Sequence, residues 1–131
     1  MYKRQDVSEV LLLSYSVGKT APGSPKLHIY TNDYTPVEGS VVGSFTEASA
    51  GYPGAITLTS ANWTIATVTG TTTAEYVEQT FTFTAASTDY GYYVTDNAGT
   101  GLLWAERFSD APHTIPSGGG TEKITVKIQG E

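Results

Sequence analysis

Tyr90–Phe108 reads Tyr-Gly-Tyr-Tyr-Val-Thr-Asp, then Asn-Ala-Gly-Thr, then Gly-Leu-Leu-Trp-Ala-Glu-Arg-Phe, and the fold turns on how this stretch pairs. Two runs rich in aromatic and β-branched residues flank a short segment of Asp, Asn and Gly, which is the signature of a β-hairpin. With Asn97–Thr100 as the loop, Asp96 stands opposite Gly101. Counting outward then sets Val94 against Leu103, Tyr93 against Trp104, Tyr92 against Ala105 and Gly91 against Glu106. This register places Tyr93, Leu102, Trp104 and Phe108 on one side of the ribbon, with Tyr92, Val94, Leu103 and Ala105 on the other. Both sides are mostly apolar, so the hairpin belongs in the middle of a sheet rather than at its edge.

Working outward, Asp6-Val-Ser-Glu9 fits a helix start, with Asp6 as cap and Glu9 reaching back, and Gly18 is a natural stop. Lys26–Asn32 alternates as a strand and ends at Asn32-Asp33-Tyr34-Thr35-Pro36. Short strands are expected at Val41–Thr46, Ile56–Thr59 and Trp63–Val68, with a Thr and Gly turn region at Thr69–Ala74. Tyr76–Ala85 is a cleaner strand, in which Phe81 and Phe83 alternate with threonines. Ala86–Asp89 reads as a turn into the hairpin, Ser109–Pro112 and Pro116–Gly120 as loops, and Glu122–Gln129 as the last strand. About eight short strands with turn signals between them predict an all-β, single-domain antiparallel β-sandwich with a short N-terminal helix. Jelly-roll-like and immunoglobulin-like arrangements are both compatible with this pattern. One domain spans residues 1–131, preceded by a flexible arm at Met1–Gln5.

The 131 residues suffice for a core without staples, and with no cysteine, stability must come from packing. A net charge of -6 argues against a phosphate-gripping surface, so no nucleic-acid partner is expected. No apolar run approaches the roughly 20 residues that cross a bilayer, and no membrane partner is expected. Val10–Leu13 is too short for a signal peptide's apolar region. The chain reads as a soluble one that carries no cleaved secretion signal.

Residue patterns for chemistry are sparse. His28 and His113 are the two imidazoles, and neither has a neighbouring Ser, Asp or Glu in a triad pattern. Gly118-Gly119-Gly120 precedes a strand and so cannot cradle phosphate as a P-loop does. Asp96 and Glu106 lie roughly 16 Å apart in the register above, beyond the roughly 5–9.5 Å of a glycosidase pair. Asp96 and Asn97 fit turn formation better than calcium ligation. Tyr90, Tyr92, Tyr93 and Trp104 read as core rather than as a stacking platform for sugars. Glu106 and Arg107 are charges within an apolar strand. As neighbours they face opposite ways, so each needs a polar partner inside the chain or across a subunit interface. No catalytic residue, cofactor or metal site is expected.

Gly91-Tyr-Tyr-Val-Thr-Asp96 with Leu102-Leu-Trp-Ala-Glu-Arg-Phe108 resembles a pattern in small virion-associated proteins of tailed bacteriophages. Tyr30-Thr-Asn-Asp-Tyr-Thr-Pro36, Gln79-Thr-Phe-Thr-Phe83 and the Pro-Ser-Gly-Gly-Gly turn before the last strand are similar to that group too. The resemblance covers most of Leu27–Ile128 and carries no catalytic motif. It implies a non-enzymatic structural part of the particle: a capsid decoration or cement protein, with a tail or fibre component as the alternative. The implied partners are the major capsid protein or other virion proteins and further copies of this chain. The implied location is the virion, after synthesis in the host cytoplasm. On this reading the core hairpin is Tyr92, Tyr93, Val94, Leu102, Leu103, Trp104 and Phe108. Lys3, Arg4, Glu106 and Arg107 are candidate interface residues, the basic pair facing an acidic capsid surface.

Overall fold

The computed structural model describes residues 3–4 and 6–130, with side chains from residue 9 onward. The chain folds as an all-β protein with one short helix. Its central sheet is antiparallel, in the order β1 (Lys3–Arg4), β9 (Leu102–Arg107), β8 (Gly91–Thr95), β2 (Lys26–Tyr30), β3 (Ile56–Thr57). Three smaller antiparallel sheets surround it. They pair β10 (His113–Ile115) with β7 (Ser87–Asp89), β11 (Gly120–Ile124) with β6 (Gln79–Phe83), and β12 (Lys127–Gln129) and β4 (Trp63–Val68) with β5 (Thr71–Tyr76).

The Tyr90–Phe108 hairpin forms in the middle of the central sheet, as its two apolar faces require. Its loop closes as counted: Asp96 N–H donates to Gly101 C=O at 2.9 Å, and Thr95 pairs with Leu102. One step further the register departs from expectation. Val94 pairs with Trp104, so Leu103 is an inserted residue, and Tyr93, Tyr92 and Gly91 meet Ala105, Glu106 and Arg107. A bulge of this kind turns two consecutive side chains to the same side of the ribbon. Leu103 and Trp104 therefore share a face with Tyr92 and Val94, and Phe108 follows them. Tyr93, Leu102 and Ala105 occupy the other face. The expected pairing of Tyr93 with Trp104 is thus corrected: they lie on opposite sides of the sheet, both buried.

Each face then has its own core. On one side Leu27, Ile29, Tyr92, Val94, Leu103 and Trp104 pack against Leu58, Tyr76, Phe81, Phe83, Ile115, Ile124 and Val126 from the outer sheets, in a sandwich-like arrangement. On the other, Tyr30, Tyr93, Leu102 and Ala105 are covered by Phe45, Tyr34, Val42 and Tyr90. Phe45 stacks on Tyr93 with ring centroids 4.8 Å apart. The covering segment is not the strand expected at Val41–Thr46. It makes one turn of 3-10 helix at Val42–Ser44 and a single bridge from Glu47 to Tyr30. Gly91 has no room for a side chain: a Cβ there would collide with the Glu106 carbonyl and the Tyr30 ring.

Helix α1 (Asp6–Ser16) forms where the start and stop signals place it. Gly18 (φ 72) ends it in the left-handed region, with Gly18 N–H donating to Tyr15 C=O and Lys19 N–H to Ser14 C=O. This is the double closure that glycine permits after a helix. The expected flexible arm is corrected in part, because Lys3 and Arg4 pair with Ala105 and Trp104 as an added strand. Met1, Tyr2 and Gln5 lie outside the described residues, as does the Asp6 side chain.

Three further expectations change. Thr69–Ala74 is not a turn region. Thr69 (φ 50) and Gly70 (φ 78) alone make a two-residue turn with both φ positive, and β4 and β5 pair directly across it. Ser87–Asp89, expected as turn, is strand β7, and the last strand is two, divided at Thr125 and Val126. Among the described residues no helix is long and apolar enough to cross a membrane.

Two measurements test this packing. Trp104→Ala should destabilise the fold by about 3–5 kcal/mol in denaturant unfolding, as removal of a core aromatic does. A loss under about 1 kcal/mol would mean that the indole is not core. Thr69→Asn should raise stability by about 1 kcal/mol, because asparagine tolerates the left-handed conformation that threonine resists. A lower melting temperature would contradict the turn geometry.

Candidate functional site

Buried and half-buried polar groups are paired mainly within the chain. His28, on β2, stacks on Tyr93 at 4.5 Å and 8°. Its Nδ1 lies 2.8 Å from Glu47 Oε2 and its Nε2 2.9 Å from Thr95 Oγ1. Tyr52 also donates to Glu47, at 3.0 Å. Carboxylate, imidazole and hydroxyl in line have the connectivity of a nucleophile triad. Thr95, however, is wholly buried, so its hydroxyl is closed to any substrate in this conformation. The sequence hides this group because Glu47 and Thr95 lie 19 and 67 positions from His28.

The second histidine sits in a more acidic setting. His113 stacks on Phe108 at 4.3 Å, with Nδ1 2.7 Å from Glu122 Oε1 and Nε2 2.6 Å from Asp110 Oδ1. Across the β10–β7 ladder it faces Asp89, which is fully buried and accepts a hydrogen bond from Ser87. Burial works to lower the imidazole pKa, but the bonds to Asp110 and Glu122 outweigh it and the net shift is upward. Burial raises both Glu122 and Asp89, against the opposing pull of their hydrogen bonds and of His113. Among the described residues, no group of three or more His, Cys, Asp or Glu is arranged to hold a metal ion.

Of the expected interface residues, Arg107 is engaged within the chain. It contacts Asp33 Oδ1 at 2.7 Å, donates to Tyr34 C=O at 3.2 Å and lies 5.2 Å over the Tyr90 ring. Glu106 stands opposite Tyr92 on the other side of the sheet, apart from Arg107. Lys3 and Arg4 are placed along the free side of β9. Tyr92, Tyr93 and Trp104 are core, and burial pushes the Tyr30 hydroxyl beside them up to about 12.

What stays open is apolar. Helix α1 packs against β9 and tucks Leu11 into the core, leaving Val10, Leu13 and Val17 66%, 68% and 76% exposed. These three recur at helical spacing and form one stripe. On another side of the helix, a groove of about 340 Å³ runs between Leu12 and Tyr15 and, from the outer sheet, Ile65, Ala74 and Ile128. Leu103 and Trp104 line it as well, and Trp63 packs edge-on to Trp104 at 6.3 Å. Ile65 extends the apolar surface onto β4 at 71% exposed, while Val68, equally exposed, points to the other face of the strand. Scattered exposed apolar residues are ordinary; an apolar groove open to solvent between helix and sheet marks an interaction surface. The sequence shows Val10-Leu-Leu-Leu13 only as an apolar run, without indicating which members stay uncovered.

No protein-family model matches the chain, and no curated protein sequence matches it.

The acidic histidine cluster has a measurable consequence. His113, Glu122 and Asp89 all hold protons more tightly folded than unfolded. Their contribution is therefore fully present below their ordinary pKa values and is lost as pH rises through the raised ones. Melting temperature should fall from about pH 4 to about pH 8, and His113→Gln should remove the upper part of that fall. An unchanged slope in the variant would show that the imidazole does not gain its proton from this setting.

Proposed function

We propose that this chain is a non-enzymatic structural protein of a tailed-bacteriophage particle, a decoration or cement protein on the outer surface of the head. The reading is carried by one contrast: histidines and carboxylates suited to chemistry are tied into the fold, while an apolar groove between α1 and β4 opens to solvent. A protein with that division of its surface is built to bind other proteins. The likeness of the hairpin and of Tyr30–Pro36 to phage virion proteins selects the assembly.

The mechanism follows from the surface. Each copy covers apolar area at a junction between neighbouring capsid subunits, adding contacts that the bare lattice lacks. Individual contacts of modest affinity become firm when many copies engage one particle, because repeated sites act through effective concentration. Lys3 and Arg4, set on a chain of net charge -6, suit an acidic patch of the capsid protein. With Arg107 engaged by Asp33, this basic pair and the apolar stripe are the better partner contacts.

Quantitative mass spectrometry of purified particles tests the proposal. A decoration protein occurs at lattice-wide stoichiometry, in fixed ratio to the major capsid protein. A few copies per particle would assign it to the tail or fibre instead, and absence from the particle would overturn the structural reading. Leu13→Asp with Val17→Asp, on the exposed stripe, should lower occupancy on particles without lowering the melting temperature. Full occupancy would exclude the helix from the contact.

A further inference from the structure

We infer that β4 is a self-association edge, through which two copies of this chain join in solution by antiparallel pairing about a twofold axis. Strand β4 lies at the end of the outer sheet, with β5 on one side and no strand on the other among the described residues. It is six residues long, pairs regularly with β5 from Trp63 to Val68 without a bulge, and contains no charged residue and no proline. Natural edge strands are normally guarded against pairing by charge, proline, bulges or shortness. The other end of the same sheet shows such guards: β12 has three residues and carries Lys127. Five successive residues of β4, Thr64 to Val68, are exposed, so both faces of the strand are free of the chain's own packing.

The choice of a second copy as occupant rests on charge. A strand that recruits a different protein can carry either sign, matched by its partner. A strand that pairs with itself sets each residue opposite one of its own, so any charge near the centre meets a like charge. The residue on the axis of a self-pair meets its own copy and so must be uncharged, and β4 offers the exposed, apolar Ile65 there. A twofold axis normal to the sheet joins residues of the same face, which fixes the parity of the register. Centred on Ile65, it places Ile65 against Ile65 of the second copy, Thr64 against Ala66 and Trp63 against Thr67. The exposed Ile65 side chain is then covered, and a continuous sheet forms with three strands from each copy. Ile65 lines the groove beside α1, so the grooves of the two copies lie on one face of that sheet. This extends the particle-protein reading by assigning a symmetric unit, yet it concerns the isolated chain and is tested without particles.

Sedimentation equilibrium should show a monomer–dimer equilibrium for the unaltered chain. Ile65→Lys should weaken the dimer by roughly tenfold or more, with an unchanged circular dichroism spectrum. A second arm needs no loss of folding. The chain has no cysteine, so a single one gives a clean cross-link. Directly opposed residues have Cα atoms about 4.5–5.5 Å apart, within the span of a disulfide. Ile65→Cys should therefore oxidise to a covalent dimer, whereas Val68→Cys, roughly 20 Å from its own counterpart, should not. A chain that stays monomeric up to about 1 mM, a dimer indifferent to Ile65→Lys, or equal cross-linking of both cysteine variants would each overturn the pairing. Dimers that form as described while particles lack the protein would leave this edge standing and reject the particle reading alone.

Discussion

The inserted residue at Leu103 is the constraint on which the remaining structure depends. A regular strand would send Leu103 and Trp104 to opposite faces, and Trp104 would stand over Tyr93, where Phe45 already lies 4.8 Å away. The bulge instead delivers both large side chains to the same core, beside Tyr92 and Val94, and keeps the smaller Ala105 next to Tyr93. One face thereby gains the bulk that meets Tyr76, Phe81 and Phe83. The other stays shallow enough for residues 34–45 to lie across it. A sheet covered on both faces cannot slip by one residue without exposing every side chain it buries.

Legibility in the sequence followed the strength of local signals. Lys26–Tyr30 and Gln79–Phe83 alternate and form strands, and the helix between Asp6 and Gly18 has both a start and a stop. The bulge left one trace, the unbroken apolar run Leu102-Leu-Trp-Ala105, which fits a buried strand of any register. Thr71–Tyr76 was obscured because threonine and glycine serve turns and strands alike, and the decisive feature was the pair of positive φ values at Thr69 and Gly70. Ser87–Asp89 and His113–Ile115 are three residues each, and pairing with one another, not periodicity, makes them strands. The polar groups around His28 and His113 are assembled from distant segments, and only the fold brings them together. For the open surface the limit is different: a helix shows its apolar residues in sequence, but which of them the sheet covers depends on how the helix is laid against β9.

The His113 group stands where two backbone ladders fail to meet. Two-stranded ribbons are marginal on their own, and both β10–β7 and β11–β6 are of that kind. His113 on β10 reaches Glu122 on β11 at 2.7 Å, so an imidazole joins two ribbons that share no ladder. His28, inside the β2–β8 ladder, adds a side-chain tie to Glu47 of the covering segment beside the single Tyr30–Glu47 bridge, and holds Thr95 of β8 on the same ring. The Tyr76 hydroxyl, which accepts from Thr59 N–H at 2.9 Å and from Asn62, fastens β5 to the segment before β4. Buried polar groups cost desolvation wherever they are placed. Here that cost falls where a directional bond fixes the relation between sheets that apolar contact alone would leave loose.

The same distribution argues about assembly. The central sheet ends in strands of two residues at either side, too short to template another chain. At the far end of the outer sheet, Lys127 guards β12 and reaches Glu75 at 3.7 Å. Within these two sheets, β4 is the long edge strand left without a guard. The groove between helix and sheet is lined by Leu12 and Tyr15 on one side and Ile65 on the other, and the stripe of Val10, Leu13 and Val17 lies outside it. Pairing through β4 would therefore leave the helix stripes of both copies uncovered. If both proposals hold, a paired unit would present two stripes at a fixed spacing, and a lattice repeating at that spacing would gain from both at once.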